Sequence, residues 1–440
     1  MLTSDQASEI FDKLRRHSTA DEVELLISSG SSALTRFANN TIHQNVAEEN
    51  TQISVRVSFG GRTARATTNK SDGDSLRRVV QSAEALARVQ QDDPDLLPMP
   101  TPQDRAAAVA QMVDVAKRNR LTTAGVYSSS EVVEGIFNSR GVAHWYEQTL
   151  AEVSITMLDD TSSGWQKANS PDARQVDHVR MAEVAAQKAI DSPHPAELPP
   201  GKYTVVLEPS AVLDAVGYMF WDFGGSALLE QRSFLNERIG KQLFGENITV
   251  WDDAYHPLQV GAPFDGEGVP RRRIQLIERG IVKAVTYARS SARRMAASAL
   301  AGNVGQVTAT GHGFALPNEI GEAPMNIVFE APQPDASQSL EQMIASTGRG
   351  LLVTRLWYIR EVDPYEKILT GMTRDGTFLI ENGKVQRGVR NFRFNESLIH
   401  MLQNVEALGE PVRASGEESM DMVVPAMKVR DFNFTEVTMF

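Results

Sequence analysis

The chain has 440 residues, more than one hydrophobic core usually supports, and its 41% apolar and 23% charged residues mark a folded protein, so two domains are expected. A net charge of −12 would repel a phosphate backbone, which argues against nucleic acid as a partner. The absence of cysteine removes disulfides, thiolate metal ligands, iron–sulfur clusters and a cysteine nucleophile together.

Met1 to Arg16 mixes acids with apolar residues and has no run fit for a signal peptide or a membrane span, so a cytoplasmic location without membrane contact is expected. Ser4 to Arg16 reads as an amphipathic helix, followed by apolar runs at Val23 to Ile27, Leu34 to Ala38 and Thr41 to Val46. Ile53, Val55, Val57 and Phe59 alternate with polar residues, Gly60-Gly61 supplies a tight turn, and Arg62 to Thr67 returns as the second strand of a hairpin. Asp72 or Asp74 can cap a helix whose apolar face is Leu76, Val79, Val80, Ala83 and Ala87. The proline-rich stretch Pro94 to Pro102 then leads into a helix from Asp104 to Asn119, and the order of elements begins again.

The second pass is offset by a constant 100 residues. Ser28-Ser29 falls on Ser128-Ser129, Phe37 on Phe137, and Ile42 on Val142. Ile53, Val55 and Val57 fall on Val153, Ile155 and Met157, and Leu76 and Val79 on Val176 and Val179. This predicts an α+β domain over residues 1–192, built from duplicated helix–strand units (about 1–92 and 104–192) that share one mixed sheet with the helices on one face. Residues 193–201, with four prolines and a glycine, are the predicted boundary.

Residues 202–440 read as a mostly antiparallel β domain. Tyr203 to Leu207 is a strand, Pro209-Ser210 opens a short apolar helix to Phe220, and Glu230 to Lys241 is a helix or ordered loop. Hairpin strands are predicted at Ile248 to Trp251, Ile274 to Glu278 turning at Gly280 into Ile281 to Tyr287, Leu351 to Arg360, and Thr377 to Glu381 turning into Lys384 to Arg387. Asn382-Gly383, at that last turn, is the sharpest hairpin signal, because both central positions of a type I′ turn need positive φ.

Chemistry-bearing patterns are sparse. The eight histidines include no local chelating pair, which leaves His256 and His312, in loop-like segments, as members of a site assembled from distant residues. Gly-x-Ser-x-Gly, phosphate-loop and dinucleotide patterns are missing from strand–turn–helix contexts. Asp252-Asp253 and the pair Asp265 and Glu267 could bind a cation or act as acid and base, but they stand in glycine- and proline-rich loops where turn-forming carboxylates are the plainer reading. Arg271-Arg272-Arg273 reads as a solvated or partner-facing loop.

Pro263-Phe264-Asp265-Gly266-Glu267-Gly268-Val269-Pro270, with Arg273 and Leu276-Ile277-Glu278-Arg279-Gly280-Ile281, resembles the signature of the TldD/PmbA (TldE) family. Thr370 to Gly376, Leu379 to Val385 and Val389-Arg390-Asn391-Phe392-Arg393-Phe394 resemble its later strands, and Thr35 to Asn40 with Ile42-His43-Gln44 its N-terminal motif. The resemblance implies peptidase complexes, first described as modulators of DNA gyrase, in which a TldD subunit pairs with a TldE subunit to degrade or trim unfolded peptides. It also implies a zinc site in the TldD subunit, held by His-Glu-x-x-x-His on a helix and a cysteine near the C-terminus.

Where that motif is expected, this chain reads Phe220-Trp221-Asp222-Phe223-Gly224-Gly225-Ser226-Ala227. Trp221 and Ser226 take the histidine places and Asp222 the glutamate place, and neither indole nor hydroxyl substitutes for imidazole on zinc. The expectation is a TldE-like subunit with no catalytic residues, metal or cofactor of its own. It would pair with a TldD-like subunit or with itself and bind extended or unfolded peptide along an edge strand, with Asp265, Glu267 and His312 as the substrate-binding residues. The alternatives are an independent metallopeptidase with a relocated site drawn from Asp222, Asp265, Glu267, His256 and His312, and a binding or regulatory protein.

Overall fold

The computed structural model describes residues 3–20, 22–59, 62–84, 102–305, 307–331, 333 and 336–438. The predicted Gly60-Gly61 turn and most of the proline-rich stretch lie outside the described residues.

The N-terminal elements are α1 (Ser4–His17), β1 (Glu22–Ala38), β2 (Thr41–Phe59), β3 (Arg62–Thr68) and α2 (Gly73–Ala83), then α3 (Pro102–Arg118), β4 (Thr122–Asn138), β5 (Ala143–Leu158), β6 (Ser163–Ser170) and α4 (His178–Ile190). Thr3 and Gln6 close a capping box on α1, and Asp72 accepts from Ser75 N to cap α2, so polar side chains at the predicted starts satisfy amides the helices leave open. The strand order is β3-β2-β1-β4-β5-β6.

Every pairing in this sheet is antiparallel, which corrects the mixed sheet expected from the sequence. Each unit is a meander whose strands follow one another through short turns, so its neighbours must run in opposite directions. The units then meet through equivalent strands, β1 against β4, with Ser31 opposite Glu131, the residue 100 positions on. The join is therefore a pseudo-two-fold axis.

Alternation gives the sheet two different faces. Val23, Leu25, Ile27, Ile53, Val55 and Val57 pack with α1 and α2, and Val153, Ile155 and Met157 pack with α3 and α4. The opposite face carries Leu26 and Ile136 against Ala262 and Phe264, and Lys167 and Asn169 against a loop near residue 416. The helix side is close-fitted at Gly164, where a Cβ would stand 2.1 Å from Ala185 O. Gly164→Ala is expected to destabilise the fold by about 2 kcal/mol, read as a lowered urea midpoint.

The C-terminal part opens with β7 (Gly201–Leu207), α5 (Pro209–Phe220) and α6 (Gly225–Leu229). Next come β8 (Val250–Asp252), β9 (Ile274–Glu278), β10 (Ile281–Val282), α7 (Arg289–Ala296), β11 (Ile327–Phe329) and α8 (Leu340–Ala345). The remainder is β12 (Arg349–Asp363), β13 (Ile368–Glu381), β14 (Lys384–Gly388), β15 (Phe392–Ser397), α9 (Leu398–Gln403), β16 (Val405–Leu408), β17 (Val412–Ala414), β18 (Met422–Val424) and β19 (Met427–Val437). One sheet runs β10-β9-β8-β11-β18-β17. In the other, β12-β7-β19-β15-β13 closes on itself because β13 also pairs β12. The described pairings of named strands are antiparallel except β7 with β12 and β11 with β18. Asn382 and Gly383 have φ of 52° and 74° and join β13 to β14, as their sequence predicts. Residues 230–241 form an ordered loop. The largest core of the molecule surrounds α5 and includes Phe220, Phe223, Phe329, Phe392, Phe394, Phe432 and Phe434.

Candidate functional site

The stretch where the sequence seats a vacated metal motif is not on a helix. α5 ends at Phe220, Trp221 and Asp222 are in a turn, and α6 begins only at Gly225. Phe223 is fully buried and its carbonyl accepts from Thr286 N (2.8 Å), while Gly225 N donates to Thr286 O (2.9 Å), so this chain segment is pinned to the neighbouring one. A Cβ on Gly225 would meet the Tyr287 ring at 2.3 Å. The glycine pair thus serves close approach at a helix break, and the six-residue spacing from Trp221 to Ser226 does not define one helical face.

Each residue in that stretch has another partner. Trp221 is 47% exposed and stacks on Phe314 with ring centroids 6.4 Å apart. Asp222 pairs with the buried ammonium of Lys367, which also holds Glu361 at 2.6 Å. Burial pushes the Asp222 carboxyl up to about 6 against the pull of that ammonium. Ser226 belongs to a knot around the buried Glu322. Glu322 Oε1 accepts from Ser226 N (2.6 Å), and Oε2 accepts from Ser291 Oγ (2.7 Å), Ala288 N (3.2 Å) and Ser226 Oγ (3.3 Å). One carboxylate thereby caps the N-termini of both α6 and α7, whose own cap residues, Gly224 and Ala288, supply no side-chain bond.

The helix itself offers a different place. Asp214 is the sole acid of α5, so the pattern of an acid in second position with ligands in first and sixth selects Leu213-Asp214-Ala215-Val216-Gly217-Tyr218. That window packs against the loop from Arg413 to Asp421. A Cβ on Gly217 would stand 1.7 Å from Ser419 Oγ, and a Cβ on Gly416 would stand 2.3 Å from Asp214 Oδ1. Asp214 is fully buried; its Oδ1 accepts from Glu417 N and Glu418 N (both 3.3 Å), and its Oδ2 has no hydrogen-bond partner. Burial pushes its carboxyl up to about 7. Tyr218 donates to Ile359 O (3.1 Å) and Glu418 Oε2 (3.3 Å), and burial pushes its hydroxyl up to about 12. A leucine, a phenol and a strap without thiol or imidazole do not make a zinc site. Among the described residues no group of three or more His, Asp or Glu side chains could hold a metal ion. Sequence reasoning passed over this window because its apolar spacing reads as plain core; the signal was an acid in the middle of a buried helical face.

Asp265, Glu267 and His312 are gathered in one hydrogen-bonded frame beside the Glu322 knot. Asp265 Oδ1 accepts from Glu267 N and Val269 N (both 2.9 Å), and its Oδ2 accepts from Gly313 N (2.8 Å). Glu267 Oε2 accepts from Arg289 N (2.7 Å) at the start of α7. His312 bridges Asp252 Oδ1 (2.8 Å) and Thr310 Oγ1 (2.9 Å), and Asp252 Oδ2 accepts from Met325 N and Asn326 N (2.8 and 2.9 Å). Burial alone would raise the Asp252 carboxyl, but His312 and the Asn326 amide outweigh it and hold it below the usual range. All three residues, with Asp252, are buried. His256 stands apart, accepting from Leu258 N (3.2 Å), and Asp253 pairs with Arg273 at 3.0 Å.

A cleft of about 720 Å³ lies on the seam between the N- and C-terminal parts, where the family-like segments around Asp375-Gly376 and Arg390-Asn391 converge with Ser163 and His194. Asp375 Oδ1 accepts from Ser163 Oγ (2.7 Å) and its Oδ2 takes the Arg355 guanidinium. Among the described residues no helix is long and apolar enough to cross a membrane.

Residues 200–436 match the PmbA/TldA metallopeptidase C-terminal domain, and residues 23–87 match domain 1 of the same metallopeptidases. A metalloprotease PmbA homologue of Haemophilus influenzae is 21% identical, covering 94% of this chain and 95% of its own length. Metalloprotease PmbA of Escherichia coli O157:H7 is 22% identical, with 86% and 85% covered. A crystal structure of a modulator of a DNA gyrase from Thermotoga maritima superposes with a TM-score of 0.82 at 17% identity, covering 98% of this chain and all of that one. TldE from Thermococcus kodakarensis gives 0.80 at 19% identity, covering 98% and 99%. With a match that takes in residues 200–436, more than half of its length, the chain belongs to the PmbA/TldD family.

Proposed function

We propose that this chain is the metal-free, TldE-like subunit of a TldD-type peptidase complex, made of an α+β domain (1–192) and a β-rich domain (202–440), and that it acts in peptide proteolysis as a structural partner in the cytoplasm. The observation that carries the reading is α5: the one helical window with the acid in the right place offers Leu213 and Tyr218 where zinc would need imidazoles. The likeness in fold to TldE supports it. A relocated site in this chain alone would need available donors, whereas Asp222, Asp265, Glu267 and His312 are occupied by Lys367, backbone amides and Asp252. On this reading Asp265, Glu267 and His312 hold the loop frame against which substrate would lie.

An extended peptide has a place to add. β2 pairs with β3 only from Ser54 to Phe59, so among the described pairings its stretch from Thr41 to Gln52 has β1 on one side alone. The test is metal analysis and a peptidase assay on the pure chain, alone and with a TldD-like subunit. The expected results are zinc far below one equivalent, no cleavage by the chain alone, and cleavage on addition of the partner. One bound equivalent of zinc, or turnover by the chain alone, would overturn the reading.

A further inference from the structure

The loop from Arg413 to Asp421 is a strap held from both domains. On the N-terminal side Lys167 Nζ donates to Gly416 O (2.8 Å) and pairs with Glu417 (3.5 Å), Ser415 Oγ donates to Glu152 Oε2 (3.2 Å), and Asn169 Nδ2 donates to Asp421 Oδ2 (2.6 Å). On the other side it lies on α5, where Ser210 Oγ donates to Ser415 O (3.0 Å) and Asp214 takes the amides of Glu417 and Glu418. The seating is mutual: Gly217 admits Ser419 and Gly416 admits Asp214, each with no room for a methyl group. A glycine in the interior of a helix weakens it, so Gly217 is there for the strap.

We infer that this strap is a latch between the two domains, that Asp214 is its catch, and that the latch loosens as pH rises from acidic to neutral. The groups facing Asp214 are Tyr218 on its own helix, the backbone amides of Glu417 and Glu418 on the strap, and Arg355 with the Leu356 amide on β12, while the Glu418 carboxylate is taken by Tyr218 and the amides of Tyr358 and Ile359. Arg355 is committed to Asp375, and Lys167 reaches only as far as Glu417. With the strap seated, Asp214 must therefore ionise without water, with only two long amide bonds to one oxygen and no hydrogen-bond partner on the other. Lifting the strap admits water and returns the group toward the ordinary value of 3.8, from about 7 when seated. A raised value in the seated state means that the seated strap binds the proton more tightly. Its extra stability is complete below about pH 4, declines as pH rises toward about 7, and changes little beyond.

Hydrogen–deuterium exchange at the amides of Glu417 and Glu418, corrected for the intrinsic rate, reads the latch directly and independently of any metal or partner. Protection in the wild type is expected to fall at least about tenfold between about pH 5 and about pH 7. Asp214→Asn keeps the acceptor and removes the titration, so its profile is expected to be flat. Should that variant not fold, Gly217→Ala decides: with Ser419 unable to seat, exchange is expected to be fast and independent of pH. Equal wild-type protection at both pH values would overturn the inference. So would the wild-type slope surviving in either variant.

Discussion

Glu322→Ala is expected to remove about 3–5 kcal/mol of stability, among the largest losses any single polar truncation in this chain would cause. The side chain is almost entirely buried and accepts from two backbone amides and two hydroxyls drawn from two segments, the starts of α6 and α7. Without it the N-termini of α6 and α7 keep desolvated amides with no acceptor, and Ser226 and Ser291 lose their shared partner. Glu322→Gln should lose less, because one oxygen still accepts while the new amide faces donors. Urea midpoints with an unchanged slope would show this order; a loss for Glu322→Ala under about 1 kcal/mol would refute the cap.

Arg355→Ala should be comparably damaging, at about 3–5 kcal/mol, for a different reason. The guanidinium binds Asp375 Oδ2 and lies over Trp165, 4.5 Å from the ring centroid, while Asp375 Oδ1 takes the Ser163 hydroxyl. One side chain thus ties β12 and β13 to β6 across the seam between the N- and C-terminal parts. Removing it leaves the buried Asp375 carboxylate with only the Ser163 hydroxyl and the more distant Arg374 (3.5 Å), and takes away the cation that favours the ionised form of Asp214. Arg355→Lys keeps the charge but not the planar fork, and should recover only part of the loss. Thermal melts of the three proteins check the ranking, and an unchanged melt for Arg355→Ala would show that the seam does not depend on this pair.

What the sequence made legible is what local patterns determine. The offset of 100 residues between β1 and β4, the helix starts at Ser4 and after Asp72, and the Asn382-Gly383 turn depend on neighbours in sequence, and each has its structural counterpart, whereas the helix α4 starts later than that offset puts it, leaving Val176 outside it. Strand length was not legible: the apolar runs at 23–27 and 34–38 are one strand, because Ser28 to Ser32 interrupt the hydrophobic pattern but not the hydrogen-bond ladder on either side of β1. Nor was the direction of the join, since a repeat can associate through parallel or antiparallel strands and the sequence of one unit is the same in both. The candidate site was hardest. Buried carboxylates such as Glu322, Asp214 and Asp265 take their meaning from amides far off in sequence, and Trp221 to Ser226 resembled a motif only until the helix was seen to stop at Phe220.

The dyad at Ser31 and Glu131 has an evolutionary and practical corollary. Half of the sheet is not a sensible molecule: cut between α2 and α3, the first unit would expose the ladder of β1 from Glu24 to Phe37, all of which now faces β4. A second copy of the same fragment could supply the missing strand in the same geometry, because the axis already relates like to like. The covalent duplication therefore looks like a fused homodimer, and an isolated N-terminal half should self-associate as twins.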